Sequence, residues 1–162
     1  KFYISFSIVA LIYFLDRLSK IYVIQLDKNN LGSEIFNSTY LNIVLIWNKG
    51  IAFGLLSFNE SHLYNILSLI ISIIVVILVV MSLKSQGFKR YSLLMIVGGA
   101  LGNLHDRIFF NAVPDFIDFH VGNFHWFIFN VSDIFITLGV IGMIILEVVE
   151  NKTEKKNNNK KY

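Results

Sequence analysis

The stretch Ile35–Phe58, IFNSTYLNIVLIWNKGIAFGLLSF, decides the fold. It is mostly apolar and long enough to be counted as a membrane span, which needs about 20 such residues. Against that reading it carries Asn37, Asn42, Asn48, Lys49, Gly50 and Gly54. Its run Tyr40 to Trp47 contains Ile43, Val44 and Ile46, β-branched residues that suit a strand, and Asn48-Lys49-Gly50 reads as a turn or bulge. Charge parity decides between the two. With four spans, Lys1, the loop Lys84 to Arg90 and the lysine-rich tail all fall on one side. That side is the cytoplasm, because cytoplasmic loops carry the excess of lysine and arginine. A fifth span over Ile35–Phe58 would put the Lys84 to Arg90 loop outside. The sequence therefore predicts an all-α membrane protein with four transmembrane helices, a small extracytoplasmic β-cradle and both termini in the cytoplasm.

Composition agrees. Of 162 residues, 55% are hydrophobic and 15% charged, against about 25% charged in an ordinary soluble domain. The expected spans are Phe2 to Ile24, Leu63 to Leu83, Tyr91 to Ile108 and Val131 to Val149. The purely apolar part of the first, Phe2 to Leu15, is too short to cross roughly 30 Å of hydrocarbon at 1.5 Å per residue, so Asp16 and Lys20 must lie inside its last turns. No small-residue cleavage site follows Leu15, and the segment reads as a retained span rather than a leader. Residues 1–150 are expected to form one membrane domain, followed by a disordered cytoplasmic tail over 151–162. The chain has no cysteine, which removes disulfides and thiolate chemistry. Its net charge of +3 sits largely in the tail and does not point to nucleic acid.

This topology gathers the unusual polar groups at one depth. Asp16 and Lys20 close the first span, Asn103, Asp106 and Arg107 the third, and Asn130 and Asp133 open the fourth. Asn48 and the segment Asn111 to Phe129 lie in the two outer connections. Ionisable groups at membrane depth are costly and are functional candidates by default, but each has a plain structural reading. Asp16 and Lys20, four apart, can pair on one helix face. Asp106 and Arg107 can cap the third helix, with Arg107 snorkelling, or Asp106 can orient Arg107 toward a carbonyl or phosphate. Asp133, three residues after Asn130, can simply cap the fourth helix. Asp115 and Asp118 share the loop Val113-Pro114-Asp115-Phe116-Ile117-Asp118, and the apolar neighbours of Asp115 favour its neutral form. Two carboxylates brought together can share one proton, one acting as base on a water and the other as acid. The histidines His62, His105, His120 and His125 form no zinc-protease motif, and His120 and His125 are expected at the interface; no metal or cofactor is expected. On residues alone an aspartic hydrolase and an ion-coupled transporter both remain open, although transporters place coupling charges near the midplane rather than at helix ends.

Five segments, taken in order, resemble the bacterial lipoprotein signal peptidases, or type II signal peptidases. They are Asp16-Arg17-Leu18-Ser19-Lys20, Asn48-Lys49-Gly50-Ile51-Ala52-Phe53-Gly54, Gly98 through Arg107, Val113-Pro114-Asp115-Phe116-Ile117 and Phe129-Asn130-Val131-Ser132-Asp133. The resemblance implies an intramembrane aspartic endopeptidase of the bacterial cytoplasmic membrane, active near its extracytoplasmic face. It implies diacylglyceryl-modified prolipoproteins as substrates, cut before the modified cysteine, contact with membrane lipids, and sensitivity to globomycin-like cyclic peptides. Asp115 and Asp133 fall on the family's catalytic positions. Asn48, Gly50, Asn103, Arg107 and Asn130 fall where substrate contacts are expected, and Asp16, Lys20 and Asp106 where structural support is. Asp118, outside the matched segment, drops to a distant second. His105 and Ser132 fall at positions where the family varies.

Overall fold

The computed structural model describes residues 2–29, 35–50 and 61–158. In chain order its elements are α1 (Phe2–Asn29), β1 (Leu41–Asn48), α2 (Ser61–Lys84), α3 (Gly87–Phe110), β2 (Val113–Val121), β3 (Phe124–Phe129) and α4 (Val131–Asn158). Among the described residues, three segments are long and apolar enough to cross a membrane: Tyr64–Lys84, Gly87–Phe110 and Val131–Thr153. The distribution of side chains is inverted relative to a soluble protein. Ile70, Ile73, Ile77, Ile141 and Ile145 are exposed, whereas Asp16, Lys20, Asp106 and Asn130 are buried. A surface of this kind suits hydrocarbon rather than water.

α3 is the central helix and packs against α1, α2 and α4. Its small residues allow this. A Cβ on Gly102 would stand 2.6 Å from Asp16 Oδ2 and would also collide with Ser132 Oγ, so only glycine lets α1 and α4 approach α3 here. Gly102→Ala is expected to destabilise the protein by about 1–3 kcal/mol through overpacking, read as a lowered unfolding temperature in detergent. An unchanged transition would show that the helices can move apart at no cost.

The strands form one antiparallel sheet in the order β1-β2-β3. β1 ends at Asn48, whose Oδ1 accepts the Gly50 N–H at 2.8 Å, a side-chain-closed turn. The motif residues 51–54 lie outside the described residues. β2 and β3 correct the expectation that Asn111 to Phe129 is a loop: Asp115 stands on a strand. Asn111 ends α3 in the left-handed conformation (φ 53°, ψ 22°), which turns the chain from helix to sheet at once. Pro114 pairs with Trp47 near the start of β2, a position where proline is tolerated. Val121 and Phe124 are joined by Gly122-Asn123, with Gly122 at φ 58°, a tight hairpin turn.

α4 also runs further than expected. Its helix reaches Asn158, into the segment expected to be a cytoplasmic tail. The transmembrane turns already form the costly nucleus, and each added residue then gains a bond. Asn151 Nδ2 donates to Glu147 Oε1 at 3.3 Å one turn back. Residues 159–162 lie outside the described residues.

Candidate active site

Asp115 is buried near the start of β2, and both its carboxylate oxygens are engaged. Oδ2 accepts Asn48 Nδ2 from β1 at 2.9 Å, and Oδ1 accepts Asn130 Nδ2 from the head of α4 at 2.6 Å. Asp133 sits in the first turn of α4. Its Oδ2 accepts the Asn130 N–H at 3.1 Å while Asn130 Oδ1 accepts the Asp133 N–H at 3.1 Å. This reciprocal pair is a capping box, which gives an entering helix its fixed start. The capping reading of Asp133 is thus observed, and it is compatible with a functional one. Asn130, fully buried, uses one side-chain atom to cap α4 and the other to bind Asp115, and so links the two carboxylates.

Asp115 and Asp133 line one cavity of about 290 Å³, together with Asn48, Asn103, Arg107 and Ala100. Burial pushes the Asp115 carboxyl up to about 6. The negative charge of Asp133 acts in the same direction, and the hydrogen bonds from Asn48 and Asn130 oppose both.

Behind Asp133 lies a second buried layer. Asn103 Nδ2 donates to Asp133 Oδ1 at 2.8 Å, and Asn103 Oδ1 accepts Lys20 Nζ at 2.9 Å. Lys20 also pairs with Asp16 at 2.9 Å and with Asp106 at 2.7 Å. Arg17 bridges the same two acids, at 2.9 Å to Asp16 and 2.6 Å to Asp106. Two acids and two bases thus form a neutral cluster joining α1 to α3. Asp16 Oδ1 ties in α4 by accepting the Ser132 N–H at 3.0 Å. Asp16, Lys20 and Asp106, the residues expected to give structural support, meet in this cluster. Arg17 is the residue that sequence reasoning missed, because the Asp16/Lys20 spacing already supplied a sufficient pair.

Arg107 is not oriented by Asp106. Its Nη2 donates to the Gly50 carbonyl at 2.9 Å and its Nη1 to the Asn103 carbonyl at 3.2 Å, which ties the turn after β1 to α3. Asp118 lies outside the cavity lining and pairs with His125 at 2.8 Å, so it does not join the two acids. His105 accepts or donates to the Tyr13 hydroxyl at 2.8 Å and packs on Phe109, away from the carboxylates. Ser132 is fully buried with no partner for its Oγ among the described residues, consistent with a position that alanine can occupy. Trp47 and Trp126 are both exposed.

A family model described as signal peptidase (SPase) II matches residues 8–149. A lipoprotein signal peptidase of Pelagibacter ubique is 45% identical over 159 residues, covering 97% of this chain and 96% of the relative. One from Anaplasma phagocytophilum is 40% identical over 151 residues, covering 91% and 94%. A solved bacterial membrane enzyme, determined by the in meso method, superposes with a TM-score of 0.74 at 29% identity, covering 92% of this chain and 90% of that one.

Proposed function

The chain belongs to the signal peptidase II family and is a multi-pass protease of the cytoplasmic membrane, and on that premise we propose that it removes the signal peptide from diacylglyceryl-modified prolipoproteins, cutting before the modified cysteine with an Asp115/Asp133 dyad. The observation that carries this reading is the pair of carboxylates lining one cavity and joined through Asn130. Asp133 is the base. The positive end of α4 and the amide of Asn103, polarised by Lys20, favour negative charge there. Asp115, in its drier setting on β2, holds the shared proton. Asp133 takes a proton from water as the water oxygen attacks the scissile carbonyl, and Asp115 gives its proton to the carbonyl oxygen. Collapse of the tetrahedral intermediate then passes a proton to the departing amine.

α1 is the fourth crossing. Its charged residues are paired within the bundle, and Phe6, Leu11, Phe14 and Leu18 are exposed, which presents an apolar face to lipid. Lys84, Lys89 and Arg90 lie at the opposite ends of α2 and α3 from the dyad, so positive-inside placement puts the termini in the cytoplasm and the cavity near the outer face. The peptide lies along the sheet. Arg107 lines the cavity beside Asn48 and Asn103, where a guanidinium can donate to the peptide backbone. An apolar cavity of about 350 Å³, lined by Trp126, Phe129, Ile134 and Leu138, reaches Asp133 and suits the substrate's acyl chains. Globomycin-like cyclic peptides compete for the dyad cavity.

Cleavage of a lipidated precursor by the purified protein tests the reading through its pH profile. The raised Asp115 carboxyl keeps its proton to about pH 6 and loses it above. On the alkaline side kcat/KM is therefore expected to fall about tenfold per pH unit, as one proton is lost from the pair. Activity that rises through this range instead would show that the dyad works without a shared proton.

A further inference from the structure

The far end of the β2–β3 hairpin carries a second group of side chains that the proteolytic reading leaves unused. His120 and His125 are cross-strand partners, and their rings stack with centroids 4.9 Å apart. A register shift between Asp118 and His120 marks a bulge, which re-aims neighbouring side chains. The result is that one ligand atom from each of Asp118, His120 and His125 lies within 4.8 Å of the other two. His125 Nδ1 is 2.8 Å from Asp118 Oδ2. A carboxylate only accepts, so Nδ1 carries the proton in this pair, and a metal taking both residues as ligands would break this bond, either releasing the proton to solvent or leaving it on Nδ1 with the ring turned to bind through Nε2. His120 is different: it is buried, at 8% exposure, and its Nδ1 has no hydrogen-bond partner among the described residues. A hairpin closed merely by an ion pair would need Asp118 and His125 alone. It would not explain a second imidazole buried beside them with a nitrogen unsatisfied.

We propose that Asp118, His120 and His125 form a binding site for a divalent transition metal, with zinc as the best match. Two imidazoles and a carboxylate are borderline donors of the kind zinc takes, and three protein ligands leave a fourth position for water. Tetrahedral zinc with bonds near 2.1 Å requires its ligand atoms roughly 3.4 Å apart, so the group must contract and the stacked rings must tilt. His125, whose side chain is 52% exposed, has the freedom to do this, while Asp118 and His120 are held in the sheet. Binding would staple the outer ends of β2 and β3, and β2 also carries Asp115.

The test uses the full chain, purified in detergent and stripped of metal, titrated with zinc chloride by calorimetry and by thermal unfolding. One zinc per chain and a raised unfolding temperature are expected. His125→Ala, an exposed change, is expected to weaken binding by at least about tenfold and to retain precursor cleavage in the absence of zinc. Asp118→Asn is expected to weaken binding as well. Cobalt(II) bound to the unmodified chain is expected to give the visible absorption of a four-coordinate site. Absence of saturable binding, equal binding by the unmodified chain and His125→Ala, or an octahedral cobalt spectrum would each overturn the proposal.

Discussion

Asp115→Asn and Asp133→Asn are each expected to cut the rate of precursor cleavage by at least roughly a hundredfold, and toward ten-thousandfold, the range for loss of a positioned acid or base. Asparagine keeps the shape of aspartate but can neither hold nor accept the shared proton. In the proposed mechanism the two carboxylates act on one water, so the double variant is expected to be no slower than the worse single one. Stability must be read alongside. Both oxygens of Asp115 accept from amide groups, and an asparagine there would set its NH2 against one of those donors. That costs about 1–3 kcal/mol, less than the stability of an ordinary domain, so the inserted protein is expected to survive while cleavage is lost. Retention of full cleavage by either variant removes that residue from the mechanism. Additive losses in the double variant would place the two acids in separate steps.

What the sequence reveals about this site follows from how each residue contrasts with its surroundings. Asp16, Lys20, Asp106 and Asp133 stand out because hydrocarbon tolerates a charge only when something compensates it. β1 is recoverable from the β-branched Ile43, Val44 and Ile46 and from charge parity. β2 is harder to see, because Pro114 reads as a breaker and Asp115 follows it at once; Ile117 to Val121 does alternate, but with its polar residues Asp118 and His120 buried and Phe119 and Val121 exposed. The Gly122-Asn123 turn signal, flanked by Val121 and Phe124, is the feature that marks the hairpin. Partner choice is less legible still. Adjacent residues on a helix point about 100° apart, so Asp106 faces Arg17 and Lys20 of α1 while Arg107 reaches Gly50 beyond β1. Adjacency in the sequence suggests the pair that the helix forbids.

Lys20→Met is expected to destabilise the protein by about 3–5 kcal/mol, the cost of breaking a buried ion pair from one side. Lys20 is 1% exposed and contacts Asp16, Asp106 and Asn103. Without it, two buried carboxylates share Arg17 alone. Adding Asp106→Asn restores neutrality, and the double variant is expected to regain part of the loss, with a coupling of about 0.5–3 kcal/mol. Cleavage should not recover with it. An ammonium only donates, so Lys20 obliges Asn103 to present its oxygen inward and its NH2 to Asp133. Neither variant keeps that constraint, and Asn103 is free to turn its amide over. Unfolding in detergent and precursor cleavage thus separate two roles of one lysine: charge balance, which Asp106→Asn can mend, and orientation of the Asn103 amide, which it cannot. An unfolding temperature unmoved by Lys20→Met would deny the first role, and cleavage restored in step with stability would deny the second.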